Sequence, residues 1–133
     1  GVNKLSQRKY RKKNKNKDKR LRKKRRNCRR HSQFRYWLLD NFGRELLNFG
    51  NGIIDVAGGK GILSFEFVNL NGISSCVIDP RNELELHKWI KALNDGYLHK
   101  NKVILNKYID RSYDECQSKG SIYPKHLKLY FDG

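Results

Sequence analysis

Ile53-Ile54-Asp55-Val56-Ala57-Gly58-Gly59-Lys60-Gly61 is an apolar run closed by an acid and a glycine-rich turn, and Val77-Ile78-Asp79-Pro80-Arg81 answers it downstream. Glycines let a backbone approach a ligand closely, and a helix following such a turn points its first N–H groups at it. This is the pattern of a strand leading into a nucleotide-binding loop. Asp79 stands 18 residues after Gly61. A βαβ unit places the acid that binds ribose hydroxyls roughly 20 residues beyond its glycine loop.

The elements that must position these residues follow from periodicity. Residues 52–57 read as the first strand, after the break at Gly50-Asn51-Gly52. Leu63-Ser64-Phe65-Glu66-Phe67 alternates with period two, which by itself predicts a strand and an antiparallel meander over residues 52–79. Read as a helix, the same stretch puts Leu63, Phe67 and Leu70 on one face with Ile62 and Phe65 nearby. Pattern alone leaves both open, and the choice decides whether the glycines bind a ligand or turn a corner. Upstream, Ser32 as N-cap with Phe34, Trp37 and Leu38 predicts a helix over His31 to Leu39. Asn41-Phe42-Gly43 interrupts it, and Arg44 to Phe49 adds a further turn. Leu86, Trp89, Ile90 and Leu93 predict a helix from Glu83 to Asn94, with Trp89 in the core. Val103 to Ile109 is read as helical, and the alternation of Leu127, Leu129 and Phe131 as a strand.

Charge divides the chain at residue 30. Residues 1–30 hold 17 of the 30 Lys and Arg and one acid, Asp18; the remaining 103 hold 13 bases and 12 acids. A segment with so little apolar surface cannot offset its ordering entropy, so a disordered basic arm is expected over 1–30, with one folded domain over 31–133. Lys12, Lys13, Arg20, Arg22, Lys23, Lys24, Arg25, Arg26, Arg29 and Arg30 suit the phosphate backbone of RNA or a nuclear-import receptor. Tyr10 is the arm's one aromatic, which points to phosphate contact rather than base stacking there. No stretch approaches the roughly 18 consecutive apolar residues of a membrane span, and a secretory signal core is missing from the N-terminal region. Cys28, Cys76 and Cys116 form no CxxC pair and are expected to be reduced thiols. The four histidines are too scattered to define a zinc site. The expected location is nuclear or nucleolar, otherwise cytoplasmic.

Asp55-Val56-Ala57-Gly58-Gly59-Lys60-Gly61 resembles motif I of the Rossmann-like S-adenosylmethionine-dependent methyltransferases, with Ala57 in place of the first glycine. Gly59-Lys60-Gly61-Ile62-Leu63-Ser64 is similar to the Gly-Lys-Gly-x-Leu-Ser segment of some RNA methyltransferases. The resemblance covers about residues 30–81 and favours the helical reading of the middle segment. It implies an α/β fold, the front half of a mostly parallel Rossmann-like methyltransferase sheet preceded by the arm. It also implies S-adenosylmethionine as cofactor, held by Asp55, Ala57, Gly58, Gly59, Gly61 and Asp79. By position, Asp55 organises the methionine amino group, Gly59 and Gly61 permit close approach, and Asp79 accepts from the ribose hydroxyls. Ala57 crowds the turn if that position needs a positive φ. Lys60 is read as a solvated residue of the first helical turn.

Competing motifs fit less well. A Walker A loop needs glycine where Ile54 stands and Ser or Thr where Gly61 stands. A dinucleotide fingerprint starting at Gly59 needs Gly or Ala at Ser64. No catalytic residue is assigned, since the family's substrate-facing motif after the fourth strand has no match. The chain by itself is therefore expected to be incomplete as an enzyme, needing downstream sequence or a partner chain. The other class of reading is a non-catalytic RNA-binding or ribonucleoprotein component with a degenerate cofactor loop.

Overall fold

The structure is a computed structural model that describes residues 30–100 and 107–130. The basic residues from Lys12 to Arg29, the stretch 103–106 of the expected helix and Phe131 lie outside the described residues. The chain divides into two compact units, residues 1–33 and 34–133, three residues later than the charge boundary. Of the first, residues 30–33 are described and are helical.

The second unit is mixed α/β. Within it helix α1 includes residues 34–47 and carries Gly43 at φ 73°, so the expected interruption is present as a left-handed residue within a helical run. Strand β1 (Ile53–Val56) leads through the glycine loop to α2 (Ile62–Glu66), which widens into a π-helical turn, Phe67–Asn71. Strand β2 (Ser75–Ile78), helix α3 (His87–Asn94), a 3-10 turn (Tyr97–His99), helix α4 (Tyr113–Lys119) and strand β3 (Lys125–Leu127) follow. The strands are parallel in the order β1-β2-β3, with Asp55 beside Val77 and Val77 beside His126. The helical reading of the middle segment therefore holds and the meander does not.

Alternation sorts the sheet residues. Ile53, Asp55, Ser75, Val77 and His126 share one face, where Ser75 and Val77 are buried. Ile54, Val56 and Leu127 lie on the other, more than half exposed. Parallel sheets are usually covered on both faces; the described residues cover one.

Two apolar clusters meet at α2. Ile62, Phe65 and Leu70 pack with Leu86, Leu93 and Cys116, and Trp89 packs against this cluster as expected. Phe67 packs with Leu39 and Ile73, backed by Leu38, Ile53 and Leu63. The apolar positions read as one face thus serve two clusters, because the wider π turn changes the angular step after Glu66.

Several expectations need correction. Ser32 lies inside the helical run rather than capping it. Phe34 and Trp37 are half exposed, whereas Arg35 on the opposite side is 1% exposed. Helix α3 starts at His87, not Glu83, because residues 80–86 wrap the glycine loop before the helix can begin. Strand β3 ends at Leu127, so Leu129 lies beyond it. Helix α4 had no counterpart in the sequence reading.

Candidate functional site

The candidate site is at the carboxyl ends of β1 and β2. Asp55 is the third residue of β1, and Asp79 follows β2 directly, on neighbouring parallel strands. Open α/β sheets bind ligands at this end.

The loop between them is shaped residue by residue. Ala57 turns the chain with φ 56°, the condition under which its methyl is strained, and its N–H donates to the Ile78 carbonyl at 2.7 Å. Gly58 lies so close to Asp55 that a Cβ there would stand 2.6 Å from Asp55 Oδ2 and 2.9 Å from Val77 Cγ1. No side chain fits. Gly61 then opens α2 at φ 85°, closing a turn to the Gly58 carbonyl at 3.1 Å. Lys60 is exposed and 3.8 Å from Glu85, which agrees with its reading as a solvated residue.

Both acids are engaged within the chain. Ser64 Oγ donates to Asp55 Oδ2 at 3.1 Å and receives a hydrogen bond from Ser75 Oγ at 2.7 Å. Asp79 accepts from the Gly59 N–H at 3.0 Å, and from the backbone N–H (3.0 Å) and Nε (3.2 Å) of Arg81. The Arg81 backbone N–H is the main cause that holds the Asp79 carboxyl below the ordinary carboxylate range; the Gly59 N–H and the guanidinium add to it against partial burial. Arg81 also lies 3.6 Å from Glu85, so its side chain has a second carboxylate within reach.

Whether these residues fit S-adenosylmethionine can be tested on the acceptor count. A carboxylate offers about four acceptor directions, and three of those on Asp79 are taken by its own chain. One ribose hydroxyl fits as the loop stands. A second requires the Arg81 side chain to move onto Glu85, which the geometry permits. Asp55 is partly exposed, with the Ser64 hydroxyl on its Oδ2. On its acceptor count Asp79 fits one ribose hydroxyl, and two with one side-chain rearrangement.

The structure thus brings together Asp55, Ala57, Gly58, Gly59, Gly61 and Asp79. Of the expected nucleic-acid-binding residues only Arg30 is described, and it is exposed. The sequence reading missed Ser64 and Arg81 as partners of the two acids, although both stand inside the motifs it quoted. A cleft of about 240 Å³ lined by Arg111, Tyr123 and Lys125 lies at the opposite, amino end of β2 and β3. Among the described residues no group of three or more His, Cys, Asp or Glu is placed to hold a metal ion, and no helix is long and apolar enough to cross a membrane. Comparison with protein-family models, curated proteins and solved structures returns no match.

Proposed function

We propose that this chain holds S-adenosylmethionine at the carboxyl ends of β1 and β2 and serves RNA methylation, as part of a Rossmann-like methyltransferase. One observation carries the reading: two acids at the ends of neighbouring parallel strands bracket a glycine loop in which a side chain at Gly58 would displace Asp55. In this reading Asp55, oriented by Ser64, receives the amino group, Gly58 and Gly59 keep the loop narrow, and Asp79 takes the ribose hydroxyls. The cofactor supplies an already activated methyl group, so the protein needs no nucleophile of its own. The remaining requirement is to place an acceptor atom in line at about 3–3.5 Å. No residue of this chain is assigned to that task. The basic arm supplies phosphate contact or a nuclear address.

A second reading rests on a specific observation. Asp79 already accepts three hydrogen bonds from Gly59 and Arg81, as it would in a non-catalytic RNA-binding component that kept the loop for its shape. Calorimetry with S-adenosylmethionine and its demethylated product separates the two. Binding that weakens roughly 10- to 100-fold in Asp79→Ala, the scale of a lost charged hydrogen bond, supports the cofactor reading. No binding, or binding indifferent to Asp79, refutes it in favour of the structural component.

A further inference from the structure

Helix α1 buries a charge and exposes three aromatic rings. Arg35 is 1% exposed, whereas Phe34, Trp37 and Phe42 are 50%, 53% and 47% exposed. A buried charge beside exposed aromatics reverses the usual sorting, and it is this combination that carries information about function. The three rings form one cluster. Phe34 and Trp37 are 6.1 Å apart with planes 12° from parallel, and Phe42 meets Trp37 edge-on at 6.0 Å. At roughly 150–250 Å² per aromatic side chain, three half-exposed rings present about 300 Å². That is well short of the roughly 800 Å² per partner of a stable protein interface.

The side of α1 opposite Phe34 and Trp37 holds these two rings outward. The Arg35 guanidinium donates to Glu66 at 3.2 Å and to Asn71 at 2.7 Å. Tyr36 stacks on Tyr108 at 4.2 Å. Leu39 is buried with Phe67 and Ile73. The rotation of the helix is fixed, which lowers the ordering cost of presenting the rings on binding.

We propose that Phe34, Trp37 and Phe42 form a base-stacking platform for single-stranded nucleic acid. The charge of the chain selects this partner. Residues 1–30, which precede the cluster in sequence, carry 17 bases and one acid but a single aromatic, so they offer phosphate contact without stacking. The cluster offers stacking without charge. A single strand presents regularly spaced anions and exposed planar rings together; a duplex hides its rings, and an acidic protein surface lacks them. The proposal rests on the RNA reading above and not on the cofactor reading.

The test uses the full chain with labelled single-stranded RNA, DNA of the same sequence and the corresponding duplex, followed by fluorescence anisotropy across a salt series. Trp37→Ala should lower single-strand affinity by roughly 5- to 100-fold, the range for loss of one base–aromatic stack. Its salt slope and duplex affinity should stay as in the wild type, because the phosphate contacts are untouched. Trp37→Phe should retain most of the affinity and Trp37→Leu should lose it, which separates a flat ring from mere apolarity. Equal affinity for RNA and DNA strands supports the platform, since stacking does not sense the 2′-hydroxyl. Wild-type affinity in Trp37→Ala or Trp37→Leu, or an equal fall for strand and duplex, overturns the proposal. So does conversion from dimer to monomer on Trp37→Ala with strand affinity unchanged, which assigns the cluster to self-association. Calorimetry of the same variants with S-adenosylmethionine keeps the two readings apart: loss of cofactor binding with intact stacking sinks only the cofactor site.

Discussion

Replacing Arg35 with methionine should cost about 3–5 kcal/mol, the scale on which a buried ion pair loses one partner. Arg35 and Glu66 side chains are 1% and 3% exposed and meet at 3.2 Å. The same guanidinium also donates to Asn71 Oδ1 and to the Tyr108 carbonyl, so Arg35→Met removes three hydrogen bonds at one point. Small domains are stable by about 5–15 kcal/mol in total, so the variant should lose about a fifth or more of its stability. With a urea m value of about 1–3 kcal/mol/M, the midpoint should fall by about 2 M. Urea unfolding followed by tryptophan fluorescence and far-ultraviolet circular dichroism measures it. The double variant Arg35→Met/Glu66→Leu removes the carboxylate as well and should recover at least about 1 kcal/mol relative to Arg35→Met. A loss under about 1 kcal/mol for the single variant, or a double variant no better than the single, would show that the pair is not what anchors α1.

Three further outcomes follow from the backbone and from Asp79. Ala57→Gly should stabilise the fold by about 0.5–1 kcal/mol, because relief of the left-handed alanine, about 1–2 kcal/mol, exceeds the entropy a glycine adds to the unfolded chain; a lower thermal midpoint contradicts it. Gly52→Ala should cost about 3 kcal/mol or more, since its Cβ would stand 2.0 Å from the Ser74 carbonyl oxygen at a φ of 88°; near-normal stability in urea contradicts it. Asp79 is held below the ordinary carboxylate range in the folded state, so its contribution is complete above that range and is lost as pH falls through the depressed value. The Gly59 amide resonance should shift through that acid transition, and titration of Asp79 at or above the ordinary value contradicts the geometry.

The strand–loop–helix–strand unit was legible because its signals are local. The apolar pairs 53–54 and 77–78 are each followed directly by an acid, and glycines stand where the chain turns. Helix α4 was equally local and was overlooked: Ser112 caps it by accepting the Glu115 N–H at 3.2 Å, and Gly120 ends it. The orientation of α1 is another matter. Periodicity marks which positions are apolar, but burial of Arg35 depends on Glu66, Asn71 and Tyr108, which lie 31, 36 and 73 residues away. No window of sequence contains them. The partners of Asp79 sit between these cases, since Gly59 is 20 residues away and Arg81 only two.

The glycine loop depends on contacts made at the far end of α2. A helix of five residues is not stable alone, so its position is set by what holds its ends. At the amino end Gly61 packs against Leu84, and at the carboxyl end Glu66 is clamped by Arg35. The π turn that follows is fixed by Asn69, which donates to the Ile122 carbonyl at 2.8 Å and accepts the Ile122 N–H at 2.8 Å. Asn71 extends the clamp to Asp110 at 2.9 Å, and Arg44 binds both oxygens of that carboxylate at 2.7 Å. Ser64 lies between the two ends and is fully buried, with its hydroxyl on Asp55. The orientation of Asp55 is therefore inherited from the placement of α2, and that placement comes from buried polar residues remote from the loop. The same Arg35 that seats α2 also turns Phe34 and Trp37 to the surface, so one buried charge fixes both the acid at the end of β1 and the outward aromatic cluster.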